Sequence, residues 1–350
     1  MEVSTYNKTI ELPLTIDKED LIHNLWKVIS VLKPQWEQAN VKHKIFSDGI
    51  TNSLVGVIHN NDKHNMILVR VFGENTEKII DRDAELKNMK ILHTLGFGPA
   101  LYASFSNGLA YEYLPGEVLT VETSFNENIY KKVAEKMAQF HLQYDHVKEQ
   151  LPTDDKTSFE KSILWAKLKN FVEFCPDKYC LGDTSKENLL KELKWLEETL
   201  VQLNDHLVFC HNDLLLANIL HDKGKDAIAF IDFEYAGPNY QAYDIANHFC
   251  EFSGVEDFNP SRYPNEEFRH KWVTVYLENF YKGQDVENET VQLLLKHIEL
   301  FSLASHFFWG VWALIQAAHS SIDFDFVKYS SFRLSEYFKK KILLGENSDN

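Results

Sequence analysis

The stretch VFCHNDLLLANIL, residues 208–220, sets His211, Asp213 and Asn218 between two short apolar runs, LVFC and LANIL. A third apolar run, AIAFI, leads into Asp232 within IDFEY. Short runs rich in aliphatic and aromatic residues, broken by polar turns, read as strands. Three polar groups at strand ends are therefore expected to converge on one cleft. Asp213 and Asn218 stand five residues apart, and Asp232 follows fourteen residues later. Two plainer readings compete with a chemical one. Asp213 and Asn218 could cap turns while Asp232 ends a strand, or His211 and Asp213 could share a zinc ion, although no matching histidine pair on one helical face supports a metal cage.

Outward from this loop the chain changes character. A helical period from Asp17 places Leu21, Leu25, Val28, Ile29 and Leu32 on one face, with Asp17 as cap and Pro34 as stop. Alternation then runs through HKIFSDGITNSLVGVIHNNDKHNMILVRVFG, where NNDKHN predicts a hairpin turn. A helix is expected from about Thr76 to Leu95, followed by two strands joined at SNG. Beyond the Pro-Gly pair of LPGEVL helical periods dominate, as in Ile129, Val133, Met137 and Phe140. Residues 146–186 show weak periodicity and read as a variable connection, and the terminal GENSDN reads as disordered.

At 350 residues and 44% hydrophobic content the chain is long enough for two lobes with a sizeable core. Its formal net charge of −16 disfavours nucleic acid or an anionic membrane as partner and favours attraction of a cation. The N-terminus lacks the basic start and apolar stretch of a secretory signal, so a cytoplasmic protein is expected. Four sparse cysteines, Cys175, Cys180, Cys210 and Cys250, imply reduced thiols.

The spacing of Asp213, Asn218 and Asp232 resembles the protein-kinase catalytic loop, where an Asp accepts the substrate's hydroxyl proton and an Asn and a second Asp hold Mg²⁺. Hard oxygen ligands suit that ion, and a carboxylate left unmetallated suits a base. With SDGITNSL, LVRVFG, VFCHND, IDFEYAGPNYQAYDIANHF and ASHFFWGVWALIQAAHSSIDF added, the chain from about Phe46 to Phe338 resembles the choline/ethanolamine kinase family. The resemblance implies an α+β, bilobal, protein-kinase-like fold. Its small N-terminal antiparallel β-sheet lobe, with one helix, would bind nucleotide over residues 1–113. A larger, mostly helical lobe over 114–350 would carry the catalytic loop and the amino-alcohol pocket.

Residue by residue, the resemblance implies a phosphate-covering turn from Gly49, Thr51, Asn52 and Ser53. It makes Arg70 the phosphate-binding cation, oriented by Glu85, and brings the backbone of Glu112, Tyr113 and Leu114 to adenine. Glu251, Trp309, Trp312 and Tyr329 match the family's cation pocket, in which a carboxylate and aromatic faces hold an ammonium group. On spacing alone Trp309 and Trp312 would read as helix core. Asp244 is expected to orient the catalytic loop or cap its helix. ATP and Mg²⁺ are the implied cofactors, and a homodimer is implied for which no interface can be read from the residues.

Choline kinases usually carry Gln two positions after the catalytic Asp, where this chain has Leu215. That departure, EFSGV and SSIDFDF resemble the ethanolamine branch. The expected activity is phosphorylation of ethanolamine to phosphoethanolamine, the entry to phosphatidylethanolamine synthesis. The alternatives are a choline kinase or another small-alcohol phosphotransferase of the same fold and, from another class, a kinase-like scaffold without turnover.

Overall fold

The computed structural model describes residues 9–17, 20–46, 52–73, 80–179, 184–320 and 322–346. By its internal packing the chain divides into two compact units, Met1–Gly116 and Glu117–Asn350.

The first unit is built on six strands: β1 (Ile10–Leu12), β2 (Val41–Phe46), β3 (Asn52–His59), β4 (Ile67–Phe72), β5 (Leu101–Phe105) and β6 (Gly108–Glu112). Their order is β1-β5-β6-β4-β3-β2. All neighbours are antiparallel except the edge strand β1, which runs parallel to β5. Side chains alternate between faces along each strand. One face, with Val55, Val57, Val69, Val71, Ala103 and Ala110, packs against α1 (Leu21–Leu32) through Leu25, Val28, Ile29 and Leu32. The helix begins four residues after Asp17, so the N-cap position belongs to Asp20, which makes no side-chain cap bond.

The other face of β4 and β6 presents Arg70, Leu109 and Tyr111. Against it lies α2 (Arg82–Thr94), with Leu86 and Met89 packed on Leu109, Phe72 and Tyr111. The helix starts later than expected, because the Asp81 side chain accepts the Ala84 N–H and sets the cap there. Residues 74–79 lie outside the described residues. At the β5–β6 turn, a Cβ on Gly108 would run into the Arg70 carbonyl and the Phe105 ring. Gly108→Ala is therefore expected to destabilise the protein by about 1–3 kcal/mol, read as a lower urea midpoint with an unchanged slope.

The second unit opens with β7 (Glu117–Val118) and α3 (Val121–Ser124), followed by α4 (Glu127–His141), α5 (Tyr144–Gln150), α6 (Thr153–Phe159), α7 (Leu164–Phe174) and α8 (Lys186–Val201). Ile129, Val133, Met137 and Phe140 of α4 are all buried, as their period predicts. The stretch read as a variable connection instead folds into three short helices that bury Val147, Phe159, Leu164, Leu168, Phe171 and Val172. Two of them are only 7 residues long, too short to show a 3.6-residue period before Pro152 or the next turn interrupts it.

Four short strands follow: β8 (Leu207–Cys210), β9 (Ile219–Asp222), β10 (Ala227–Phe230) and β11 (Gly237–Tyr240). β8 pairs with β11 as a two-stranded ribbon, and β9 pairs with β10 on one side and with β7 on the other as a small three-stranded sheet. The helices α9 (Gln241–Glu251), α10 (Glu266–Phe280), α11 (Asn288–His319) and α12 (Phe326–Glu346) complete the unit. By length and composition α11 could cross a membrane, yet every residue from Phe301 to Gln316 is buried within the unit, which makes it a core helix. The last helix runs through Gly345 and Glu346, so the expected terminal disorder does not begin at Gly345, and residues 347–350 lie outside the described residues. Cys175, Cys210 and Cys250 are buried free thiols.

Candidate active site

The loop after β8 is suspended from the start of α9. Asp244, in the first turn of that helix and fully buried, accepts the backbone N–H of His211 at 2.8 Å and of Asn212 at 2.7 Å. Its Oδ2 also receives His141 Nε2 at 2.9 Å. Burial alone would raise the Asp244 pKa, but the hydrogen bond and charge of His141 and the bond from His211 outweigh it and hold the carboxylate below its usual range. Asn212 adopts a left-handed conformation, φ 66°, which Asn tolerates better than most residues. Its Nδ2 donates to the carbonyls of Tyr235 and Gly237 at 3.0 and 3.3 Å, and its Oδ1 accepts Asn239 Nδ2 at 2.7 Å.

His211 links this loop to the next. Its Nε2 donates to the Ile231 carbonyl at 2.9 Å while Nδ1 accepts the Asp213 N–H at 3.3 Å. One donor and one acceptor define a neutral imidazole, and burial lowers its pKa accordingly. His211 is thus a strut and holds no zinc. The grouping of His141, Cys210 and Asp244 is likewise committed to hydrogen bonds, since His141 Nδ1 meets the Tyr276 hydroxyl at 2.7 Å.

The five-residue spacing now has a physical cause. A tight turn lets Asn218 Nδ2 reach back to the Asp213 carbonyl at 2.8 Å. This orients the amide so that Oδ1 is left as the acceptor. Ile219 and Phe230 close the β9–β10 ladder, and Ile231 N–H donates to the Asn218 carbonyl at 3.0 Å, which carries Asp232 alongside. Asp232 is held at φ 64°, a region rarely used by residues other than Gly. An amide oxygen and a carboxylate on adjacent strand ends are a fitting pair of hard ligands for a small divalent cation.

Asp213 itself is buried, and its carboxylate receives no hydrogen bond from the described residues. Burial first, then the like charges of Glu251, Asp232, Glu234 and Asp244, push its pKa well above the usual carboxylate range. Leu215, two residues on, is half-buried. His248 Nδ1 donates to the neighbouring Leu214 carbonyl at 3.1 Å, and burial lowers its pKa to about 4, so it remains neutral.

Glu251, Trp309, Trp312 and Tyr329 come together in the same unit, all buried. Trp309 Nε1 donates to Asn247 Oδ1 at 2.7 Å, one turn before Glu251 on α9. Trp309 packs edge-on against Trp312 and Tyr235, with ring centroids 5.4 and 5.3 Å apart. Glu251 Oε1 accepts from Arg333 Nη1 at 2.7 Å, and the same nitrogen reaches the Tyr329 hydroxyl at 3.2 Å. Glu251 Oε2 is buried without a hydrogen-bond partner among the described residues.

In the first unit, Arg70 and Glu85 form a buried ion pair, and Glu85 Oε2 also accepts Arg82 Nη1 at 2.8 Å. Arg82 in turn lies 3.9 Å from the Phe72 ring centroid. Asn52 Oδ1 accepts from the Gly73 N–H and Arg82 Nη2, each at 3.4 Å, so its oxygen faces inward to the sheet unit. Ser53 pairs with Val71 in the β3–β4 ladder. Gly49 and Thr51 lie outside the described residues. Of the three residues expected near adenine, Glu112 has its N–H committed to the Ala100 carbonyl at 2.9 Å. Tyr113 and Leu114 follow the end of β6.

With this geometry in view, the comparisons with known proteins are direct. The model of the choline/ethanolamine kinase family matches residues 43–338. The chain belongs to the choline/ethanolamine kinase family. Human ethanolamine kinase 2 is 41% identical over 332 residues, covering 94% of this chain and 83% of its own. Among solved structures, an ethanolamine kinase of Plasmodium vivax superposes with a TM-score of 0.77 at 28% identity, covering 92% of this chain and 89% of its own. A choline kinase from Cryptosporidium parvum superposes with a TM-score of 0.78 at 27% identity over 93% and 97%.

Several polar residues that hold these side chains in place escaped the sequence reading: Arg82 in the first unit, and His141, Asn212, Asn239, Asn247, Ser305 and Arg333 in the second. A signal was present. Asn247 and Glu251, Ser305 and Trp309, and Tyr329 and Arg333 are each four residues apart, which puts each pair on one face of its helix.

Proposed function

We infer that this protein is an ethanolamine kinase, transferring the γ-phosphoryl group of ATP to the hydroxyl of ethanolamine, and that its product feeds phosphatidylethanolamine synthesis. Asp213 aligns the hydroxyl and receives its proton. Arg70, fixed by Glu85, steadies the nucleotide phosphates. Asn218 and Asp232 are the residues that would hold Mg²⁺, an ion that supplies neutralisation of phosphate charge when bound. The catalytic contribution of the chain is then mostly positioning and charge balance.

The observation that carries the amine reading is Glu251 Oε2, a buried carboxylate oxygen with no donor among the described residues, in the unit that also buries Trp309, Trp312 and Tyr329. A primary ammonium brings N–H donors to such an oxygen, whereas a quaternary ammonium brings none and relies on aromatic faces. Leu215 narrows the same preference by placing an apolar wall two residues from the base. Initial rates on ethanolamine, its mono- and dimethyl derivatives and choline test this. The specificity constant is expected to fall along the series, by at least about tenfold from ethanolamine to choline for one lost charged hydrogen bond. Equal turnover of choline would overturn the preference, and absence of ADP release with every amino alcohol would overturn the activity.

A further inference from the structure

Arg333 lies on α12 with 0% of its surface exposed. Its Nη1 donates to Glu251 Oε1 at 2.7 Å and its Nη2 to Ser305 Oγ at 2.9 Å. Ser305 Oγ donates in turn to Asn247 Oδ1 at 2.8 Å, the atom that also accepts the Trp309 indole N–H. One guanidinium therefore ties together α9, α11 and α12 at the positions that carry the carboxylate, an indole and the Tyr329 hydroxyl.

A buried Arg–Glu pair that only joins two helices is best satisfied as a fork, with two parallel N–H bonds filling both carboxylate oxygens. The fork here is split. One arm holds Glu251 and the other holds Ser305, so Oε2 stays buried and unpaired among the described residues. Leaving a buried acceptor without a donor is unfavourable, and the arrangement makes sense where a ligand completes it.

We infer that Arg333 is a positioning residue of the amine site, holding one oxygen of Glu251 so that the other accepts an N–H of the substrate's ammonium group. This rests on the ethanolamine-kinase reading. The guanidinium does not touch substrate and acts through Glu251. Its geometry matters as much as its charge, because a Lys in its place offers no planar fork to divide between Glu251 and Ser305.

The test compares Arg333→Met, Arg333→Lys, Glu251→Gln and the double variant Arg333→Met/Glu251→Gln in the full-length enzyme, with KM for ethanolamine, KM for ATP and kcat measured separately. Arg333→Met is expected to raise KM for ethanolamine by about tenfold or more, with KM for ATP within about twofold of the parent. Arg333→Lys should recover part of the loss. The double variant should bind ethanolamine no worse than the weaker single variant, because both substitutions remove one shared interaction. A parental KM for ethanolamine in Arg333→Met, or equal rises in both KM values, overturns the inference. Should Arg333→Met fail to fold, Arg333→Lys decides by the same comparison. If Glu251→Gln weakens ethanolamine use while the Arg333 variants do not, this inference falls and the functional reading stands. If Glu251→Gln leaves ethanolamine use unchanged, the amine-site reading itself falls.

Discussion

Asp213→Ala is expected to lower kcat by about a hundredfold to ten-thousandfold, the range for loss of a general base, while nucleotide affinity and folding are retained. The folding half of this expectation follows from the hydrogen bonds. The backbone of Asp213 is pinned through its N–H by His211 and through its carbonyl by Asn218, and neither bond involves the side chain. The carboxylate accepts nothing from the described residues, and its raised pKa marks it as held against burial and like charge. Removing it relieves that repulsion. The unfolding midpoint of Asp213→Ala should therefore equal or exceed that of the parent, and fluorescence titration should return a near-parental nucleotide affinity. Near-normal turnover would remove Asp213 from its role, whereas a lowered midpoint would show the side chain to be structural.

Asp244→Ala should behave in the opposite way. Three donors, the N–H groups of His211 and Asn212 and Nε2 of His141, converge on one fully buried carboxylate. Breaking a buried charged network by deleting one partner costs about 3–5 kcal/mol, so urea unfolding should show a loss of that size. Turnover falls with it, because the loop that aims Asp213 loses its suspension. The pH dependence has a definite sign. The folded-state pKa of Asp244 is depressed, so its contribution is fully present above the unfolded value of about 3.9 and is lost as pH falls through the lower folded value. The gap between parent and variant should be wide at neutral pH and close progressively in acid. A gap that does not change with pH would mean that the contribution of Asp244 is packing.

The contrast between these two aspartates shows how far the residues could be read in advance. Asp213, Asn218 and Asp232 sit within 20 residues of one another, and their spacing reflects a local turn and one β-ribbon. The helix faces of α1 and α4 were legible for the same reason, since a 3.6-residue period is a local property. The parallel pairing of β1 with β5 was not legible, because a strand of 3 residues carries no alternation and its partner lies near Leu101. The helices α5 and α6 were hidden by their brevity. Arg333 was hidden by distance, as it meets Glu251 across 82 positions.

The amino-acid sequence by itself determined the chemistry: which carboxylates and amides are present, at which offsets, and which aromatic residues accompany them. Those offsets act through covalent connectivity and short turns, so they survive reading one residue after another. The tertiary structure alone decided which of these groups are satisfied and which are left waiting. Only the packing of α9, α11 and α12 commits one oxygen of Glu251 to Arg333 and leaves the other bare, and only the hydrogen bonds of Asp244 separate an anchor from the unpaired Asp213 beside it. Partnering depends on burial and on contacts distant in the chain, neither of which is carried by local spacing.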